Sequence, residues 1–464
     1  MKTLENATTT QNFISKRSTR GIALTACTLG LVATLYNSTS TPDVVESVTE
    51  SITSMAVEAM VLTKDPDIVY HREEVLNDYE DRISEEFAIP AGLRERVGFW
   101  FDIYTRYDSN KKVIHHTQYP WIVFKVIDIS DIIYSDTPRV RWLRNVKADE
   151  FVASEAAALR KALKQISQGK MDKGDEYHVA VKEALAQLPG TLKSKAKGAL
   201  TNVRIQTGQK NFFAKGLEVS PRYLSGMEDI FRDHKLPTEL TRLPFVESSF
   251  NKKAVSKVGA SGIWQFMDYT GKSFMIVNDH IDERRSPFKA TVAAAQLLKE
   301  NHMILKRSWP LAITAWNHGP GGIRKAMRAA GTSDLTEIIA KYQSKNFDFA
   351  SSNFYCEFLA ALYAEKYHDQ IFKDLDYEET ADLHQVKLAR SIPAKTLLLK
   401  AGLAKEEFVL NNPDLTKVLE RNKHIPSGFT FMVDTSTRES IKNLLTKNSR
   451  PKKPKVGQDN VEML

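Results

Sequence analysis

From Pro287 to Lys306 the chain reads PFKATVAAAQLLKENHMILK, with a proline at the start and three alanines at 293–295. Proline is tolerated in the first helical turn, and alanine combines the highest helix propensity with the least bulk. The segment therefore predicts a buried helix that neighbouring helices approach closely. A chain organised around such a helix is mainly α, and the rest of the sequence agrees. REEVLNDYEDRISEEF and LRERVGFWFDIYTRY repeat apolar residues at three and four, which predicts helix from 72 to 105. The same signal returns in ASEAAALRKALKQIS and YHVAVKEALAQL, in a helix opening at Trp309–Pro310 and ending at NHGPGG, and in NFYCEFLAALYAEKYHD.

The period changes in two places. VIHHTQYPWIVFKVIDIS carries short β-prone runs broken at Gln118 and Pro120, which predicts a hairpin or two short strands. Beyond His384 the pattern reads strand, helix, helix, strand.

At 464 residues the chain has room for two to four units. Its formal charge of +8 favours an anionic partner. Nucleic acid is not expected, because zinc-finger spacing, an RNP-like motif and a dense basic stripe are all missing. The two cysteines, Cys27 and Cys356, predict no structural disulfide. Lys16, Arg17 and Arg20 precede the apolar run GIALTACTLGLVATLY, so residues 1–40 are expected to be an export signal or a short signal-anchor. That run falls short of the roughly 20 residues of a full span. LTAC at Cys27 has the look of a lipobox, but lies only three residues after Arg20. The lysine-rich end, 445–464, is expected to be a flexible tail.

The chemistry concentrates around Glu247. In LPTELTRLPFVESSFN, Pro237 opens a helix and Pro244 should kink or restart it, leaving Glu247 near an irregular terminus. Set against Phe245, Val246, Phe250 and Trp264, the carboxyl would keep its proton near neutrality, as a general acid requires. From the residues alone, a capping or salt-bridged glutamate is the favoured reading. The glycines of VGASGIWQFM supply backbone angles closed to other residues, or let the chain pass close to a ligand.

Three ordered motifs, ESSFNKKAVSKVGASGIWQFM, DERRSPFKATVAAAQLL and AITAWNHGPGGIRKA, resemble the soluble lytic transglycosylase domain, and in particular the membrane-bound transglycosylase D subgroup. The resemblance is strongest over 204–367. It implies a lysozyme-like helical catalytic domain at 201–375, a mainly helical region with a short β hairpin at 53–200, and a small α+β LysM-like module at 380–436. It also implies cleavage of the β-1,4 bond between N-acetylmuramic acid and N-acetylglucosamine in peptidoglycan, leaving 1,6-anhydromuramyl ends. On this reading the protein is a monomer at the periplasmic or outer envelope, exported and held to the membrane, if at all, through its N-terminus. A goose-type lysozyme and a non-catalytic wall-binding scaffold are the alternatives.

The resemblance makes Glu247 the acid/base and has Tyr355 reach back toward it. Ser256, Gly262, Gln265, Met267, Trp316 and Asn317 become substrate-binding residues. Trp316 stands where a tyrosine is usual and offers a larger stacking face without a hydroxyl, while Asp268 replaces a proline and brings a second carboxylate. Ser256 as a turn hydroxyl, Met267 as packing and Tyr355 as core remain open. Asp282 and Arg284 are expected to pair. No cofactor or metal is expected, since His115 and His116 would point to opposite faces of a strand and Asp279 to Glu283 lack EF-hand spacing.

Overall fold

The computed structural model describes residues 70–441. The expected export signal and the basic tail lie outside the described residues. The segment read as a continuous helical pattern from Arg72 is interrupted: a short helix ends at Leu76, and the next full helix, α1, is Arg94–Thr105. The reason is local. Asp78 and Asp81 take positive φ, and the Asp78 carboxylate accepts from the backbone N–H groups of Arg82 and Ile83, a turn that competes with helix.

Strands β1 (Lys111–His116) and β2 (Val123–Asp128) form the predicted antiparallel hairpin, with Val113 opposite Val126. Helices α2 (Arg141–Ser167), α3 (Glu176–Leu185) and α4 (Leu192–Ala199) follow. A third strand, β3 (Val203–Thr207), then adds to the free edge of β1 in the order β2-β1-β3. Ile114 and Ile127 of the sheet join Leu159, Leu163, Val181 and Leu185 of the helices in one apolar cluster.

The largest core lies around the helices that follow: α5 (Lys210–Val219), α6 (Pro221–Asp233), α7 (Leu243–Ser248), α8 (Pro287–Ile304), α9 (Trp309–His318) and α10 (Phe349–Lys366). Ala293, Ala294 and Ala295 of α8 are all buried, and α8 packs on α6 and α9 as the small side chains allow. Helix α10 packs against α1, α7 and α9. It thus ties the N-terminal part of the described chain to the segment carrying Glu247.

The C-terminal part contains the expected strand, helix, helix and strand, with an added short strand pair, Ile392–Pro393 with His424–Ile425, and a third short helix, Thr416–Glu420, between the outer strands. β4 (Leu383–Lys387) is followed by α11 (Ala394–Ala401) and α12 (Lys405–Asn411), then β5 (Thr430–Asp434), which pairs antiparallel with β4. Its small core includes Ile281. The Lys289 ammonium bridges Glu283 and the buried Asp414 at 2.9 and 2.8 Å, fixing this part to the start of α8.

Candidate active site

Pro244 restarts the chain as expected: a 3-10 turn, Thr238–Arg242, passes directly into α7 with Pro244 in its first turn. The helix stops at Ser248, after which Ser249 (φ 49°) and Phe250 (φ 56°) both turn left-handed. The start of α7 is pinned by Arg242, which is buried. It donates to both oxygens of Glu365 on α10, at 3.0 and 3.1 Å, and pairs with Glu228 on α6. A buried guanidinium satisfied by two carboxylates is a strong geometric constraint, so α7 has little freedom to move its last turn.

Glu247 lies in that last turn and is among the residues that line an open cleft of about 440 Å³. Phe245 and Phe250, neighbours of Glu247 in the chain, are both buried and packed edge to face at 4.7 Å. Burial pushes the Glu247 carboxyl up to about 8, and a hydrogen bond from Trp316 opposes the shift. The Trp316 indole N–H donates to Oε1 at 2.8 Å. Its ring rests against Trp264 and, edge-on, Phe266, with centroids 5.6 and 5.1 Å away. The indole is therefore held by packing before it meets the acid, beyond the sugar-stacking role that the resemblance implies.

The loop after α7 carries the next group of expected residues. The Ser256 hydroxyl accepts from the Ala260 N–H at 2.9 Å, so it closes the turn. Gly262 has φ +79°, and a Cβ there would lie 1.9 Å from the Arg284 carbonyl oxygen. Both the backbone angle and the close approach demand glycine. The Gln265 amide donates to the carbonyls of Gly262 at 2.7 Å and Ala254 at 3.3 Å, tying the loop to itself. Met267 is exposed, and Asp268 beside it is paired with Lys272 at 2.6 Å. Arg284 and Asp282 form the expected pair, with two bonds of 2.9 and 2.8 Å, and Arg284 also donates to the carbonyls of Gly259 and Phe266. Asn317 is exposed at the end of α9, its carbonyl oxygen accepting from Ser351 at 3.0 Å.

Tyr355 departs from expectation. It is buried and stacks on Phe358, and the groups whose charge bears on it are Cys356, Tyr363 and Glu86 rather than Glu247. The residue of α10 that meets the acid electrostatically is Glu357. Two residues apart on a helix means about 200° of rotation, so the two side chains leave opposite faces. Burial pushes Glu357 up to about 8, the negative charge of Glu247 adds to the shift, and Arg204 opposes it. Tyr104 of α1 is raised well above its usual value by burial and then by both glutamates. The second carboxyl near Glu247 is thus Glu357 and not Asp268. The sequence offered one signal for it, a glutamate inside an otherwise apolar helix run.

Fold and site together define a mainly α-helical protein with small β elements and a proton-holding glutamate at an open cleft. Residues 230–339 match the family model described as Transglycosylase SLT domain. That segment holds every expected site residue except Tyr355, and it leaves out Glu357. Membrane-bound lytic murein transglycosylase D of Escherichia coli K12 is 33% identical over 98 residues, which are 21% of this chain and 22% of the relative. The same protein of Escherichia coli O6:H1 gives the same figures. The chain therefore matches about a fifth of the length of these curated relatives, and through that segment it is related to SLT-domain lytic transglycosylases. The crystal structure of the 70 kDa soluble lytic transglycosylase of Escherichia coli aligns over 67% of this chain and 58% of its own, at 13% identity and a TM-score of 0.26.

Proposed function

We propose that the chain is a lytic transglycosylase that cuts the β-1,4 bond between N-acetylmuramic acid and N-acetylglucosamine in peptidoglycan and leaves 1,6-anhydromuramyl ends. The observation that carries this reading is Glu247, a carboxyl whose proton is held to about pH 8 at the edge of a cleft. The match of residues 230–339 to the SLT domain supports it.

In this mechanism the neutral Glu247 gives its proton to the glycosidic oxygen as the bond to the muramyl C1 breaks. Trp316 keeps the acid aimed during that step. The muramyl acetamido carbonyl meets the positive charge at C1, and the amide N–H of Asn317, at the exposed end of α9, is suited to orient that group. The Glu247 carboxylate then takes the proton of the 6-hydroxyl, whose oxygen closes on C1. One proton leaves the acid and one returns, and no water is consumed. The catalytic part is lysozyme-like on this reading, the 380–436 part is a LysM-like wall-binding module, and the protein works at the periplasmic face of the envelope.

The second reading is a hydrolase of goose-lysozyme type, in which water rather than the 6-hydroxyl attacks C1. Mass spectrometry of purified peptidoglycan digests separates the two, because hydrolysis adds one water to each new end. Anhydro ends made by the parent and absent with Glu247→Gln are expected. Hydrated ends would move the assignment to the hydrolase, and intact glycan to a wall-binding scaffold.

A further inference from the structure

The core does not account for the beginning of α2. Its buried side chains run from Ala148 to Ile166, and no residue from Arg139 to Lys147 is buried. The stretch Arg141–Lys147, about 10 Å of helix at about 1.5 Å per residue, therefore overhangs the body on which α2 packs. Yet this end is apolar on one side. Val140 is 56% exposed, Trp142 67% and Leu143 38%. With successive side chains turned by about 100°, Trp142, Leu143 and Val146 share one arc of the helix, opposite the stripe of Ala148, Val152 and Leu159 that meets the core. The same segment, RVRWLRNVK at 139–147, holds four cations and no acid, and among the described residues none of the four has a carboxylate partner. Arg144 donates from Nη1 to the carbonyls of Pro138 and Arg139 at 3.1 and 2.9 Å, which holds the residues before the helix against its first turns. The N-terminal end of a helix favours acids, but α2 has none in its first turn. This positive, apolar projection is thus matched neither by its own helix nor by the core.

We propose that the start of α2 is a membrane-contact surface, which lays Trp142, Leu143 and Val146 among the headgroups of a bilayer containing anionic lipid while Arg139, Arg141 and Lys147 meet the phosphates. Charge and apolar surface together select this partner. An indole suits headgroup level, with its ring toward the acyl chains and its N–H toward water, whereas a polyanion in water would leave the apolar arc uncovered. A second copy of the chain would set like charges against like. The length fits as well, since interfacial helices bury their apolar face by about 5–10 Å, and Asp149 and Glu150, which follow at once, keep the surface from sinking deeper. The contact belongs to the described part of the chain, separate from any attachment through residues 1–40, and it does not depend on the function proposed for Glu247.

The test uses the full chain and vesicles of phosphatidylcholine with about one-third phosphatidylglycerol, prepared with and without bromine on the acyl chains as a fluorescence quencher. The emission lost in Trp142→Phe reports Trp142 alone, and phenylalanine keeps the surface apolar. That emission is expected to shift to shorter wavelength on the vesicles and to be quenched by about half or more when the acyl chains carry bromine. In phosphatidylcholine alone, or with Arg139→Gln and Arg141→Gln together, the quenched fraction should fall about 5-fold or more, and raising salt should lower it as well. Every side chain changed is exposed, and unaltered thermal unfolding confirms that the variants fold. Because the readout is local, a chain held to vesicles only through residues 1–40 leaves Trp142 unquenched, and that result would overturn the proposal, as would equal quenching in the two kinds of vesicle. Light scattering without lipid addresses the other occupant: a dimer that Trp142→Gln with Leu143→Gln makes monomeric would assign this surface to a second copy of the chain instead.

Discussion

The indole N–H of Trp316 lies 2.8 Å from Oε1 of Glu247 and donates to it. The bond joins the last turn of α7 to the last turn of α9 and acts against burial, which holds the proton on the acid. A donor favours the ionised carboxylate, so Trp316 both aims the acid and eases the release of its proton.

Trp316→Phe keeps most of the packing on Trp264 and Phe266 but removes the donor. Glycan cleavage should fall by roughly 100-fold, the lower end of the scale for losing one positioned donor. Because the active acid is the protonated form, activity is lost as pH rises through its pKa, and without the donor that alkaline limb should move to higher pH. A pH–rate profile with the limb unmoved or lowered would rule out the role given to this bond.

Glu357 offers a different shift. Burial keeps the Glu357 proton to about 8 as well, so the earlier of the two ionisations pushes the later one up; Glu357→Gln removes that coupling and should bring the alkaline limb to lower pH. Product masses from the same digests distinguish the mechanisms. Anhydro ends should persist if Glu357 only tunes the acid, whereas loss of hydrated ends would identify it as a water-activating base.

For Tyr355, burial against Phe358 and away from the acid predicts little change on losing the hydroxyl. Tyr355→Phe should leave kcat/KM within about 2-fold, a difference of about 0.4 kcal/mol. A loss of 10-fold or more, with thermal stability intact, would return this tyrosine to the site.

Gly262→Ala tests the loop. The added Cβ meets the Arg284 carbonyl at 1.9 Å in a backbone that already has φ +79°, and the clash involves main chain that cannot rotate away. A stability loss of roughly 2–4 kcal/mol is expected in denaturant unfolding, together with reduced cleavage, since the same loop packs beside Glu247. A neutral substitution would mean that the 254–266 loop is far more plastic than its hydrogen bonds imply.

The helical class, the hairpin at 111–128, the buried alanine helix and the restart at Pro244 were legible in the sequence because each rests on local periodicity or on the fixed φ of proline. The pairing of Asp282 with Arg284 was also legible, the two being neighbours in one tight turn. Glu247 stood out as a carboxyl among apolar residues, although a capping role stayed open until the fold was known. What the sequence could not decide were matters of which face meets which. Strand β3 is a short run whose only reason to be extended is the free edge of β1, more than eighty residues earlier in the chain. The break after Leu76 depends on a single aspartate side chain choosing backbone N–H groups over solvent. Tyr355 and Glu357 lie two positions apart on the same helix, and only the packing of α10 against α1, α7 and α9 determines which of them faces the acid. Local propensity sets the elements, but a side chain's partner is set by the rotation and crossing of whole helices, which contacts distant in sequence determine together.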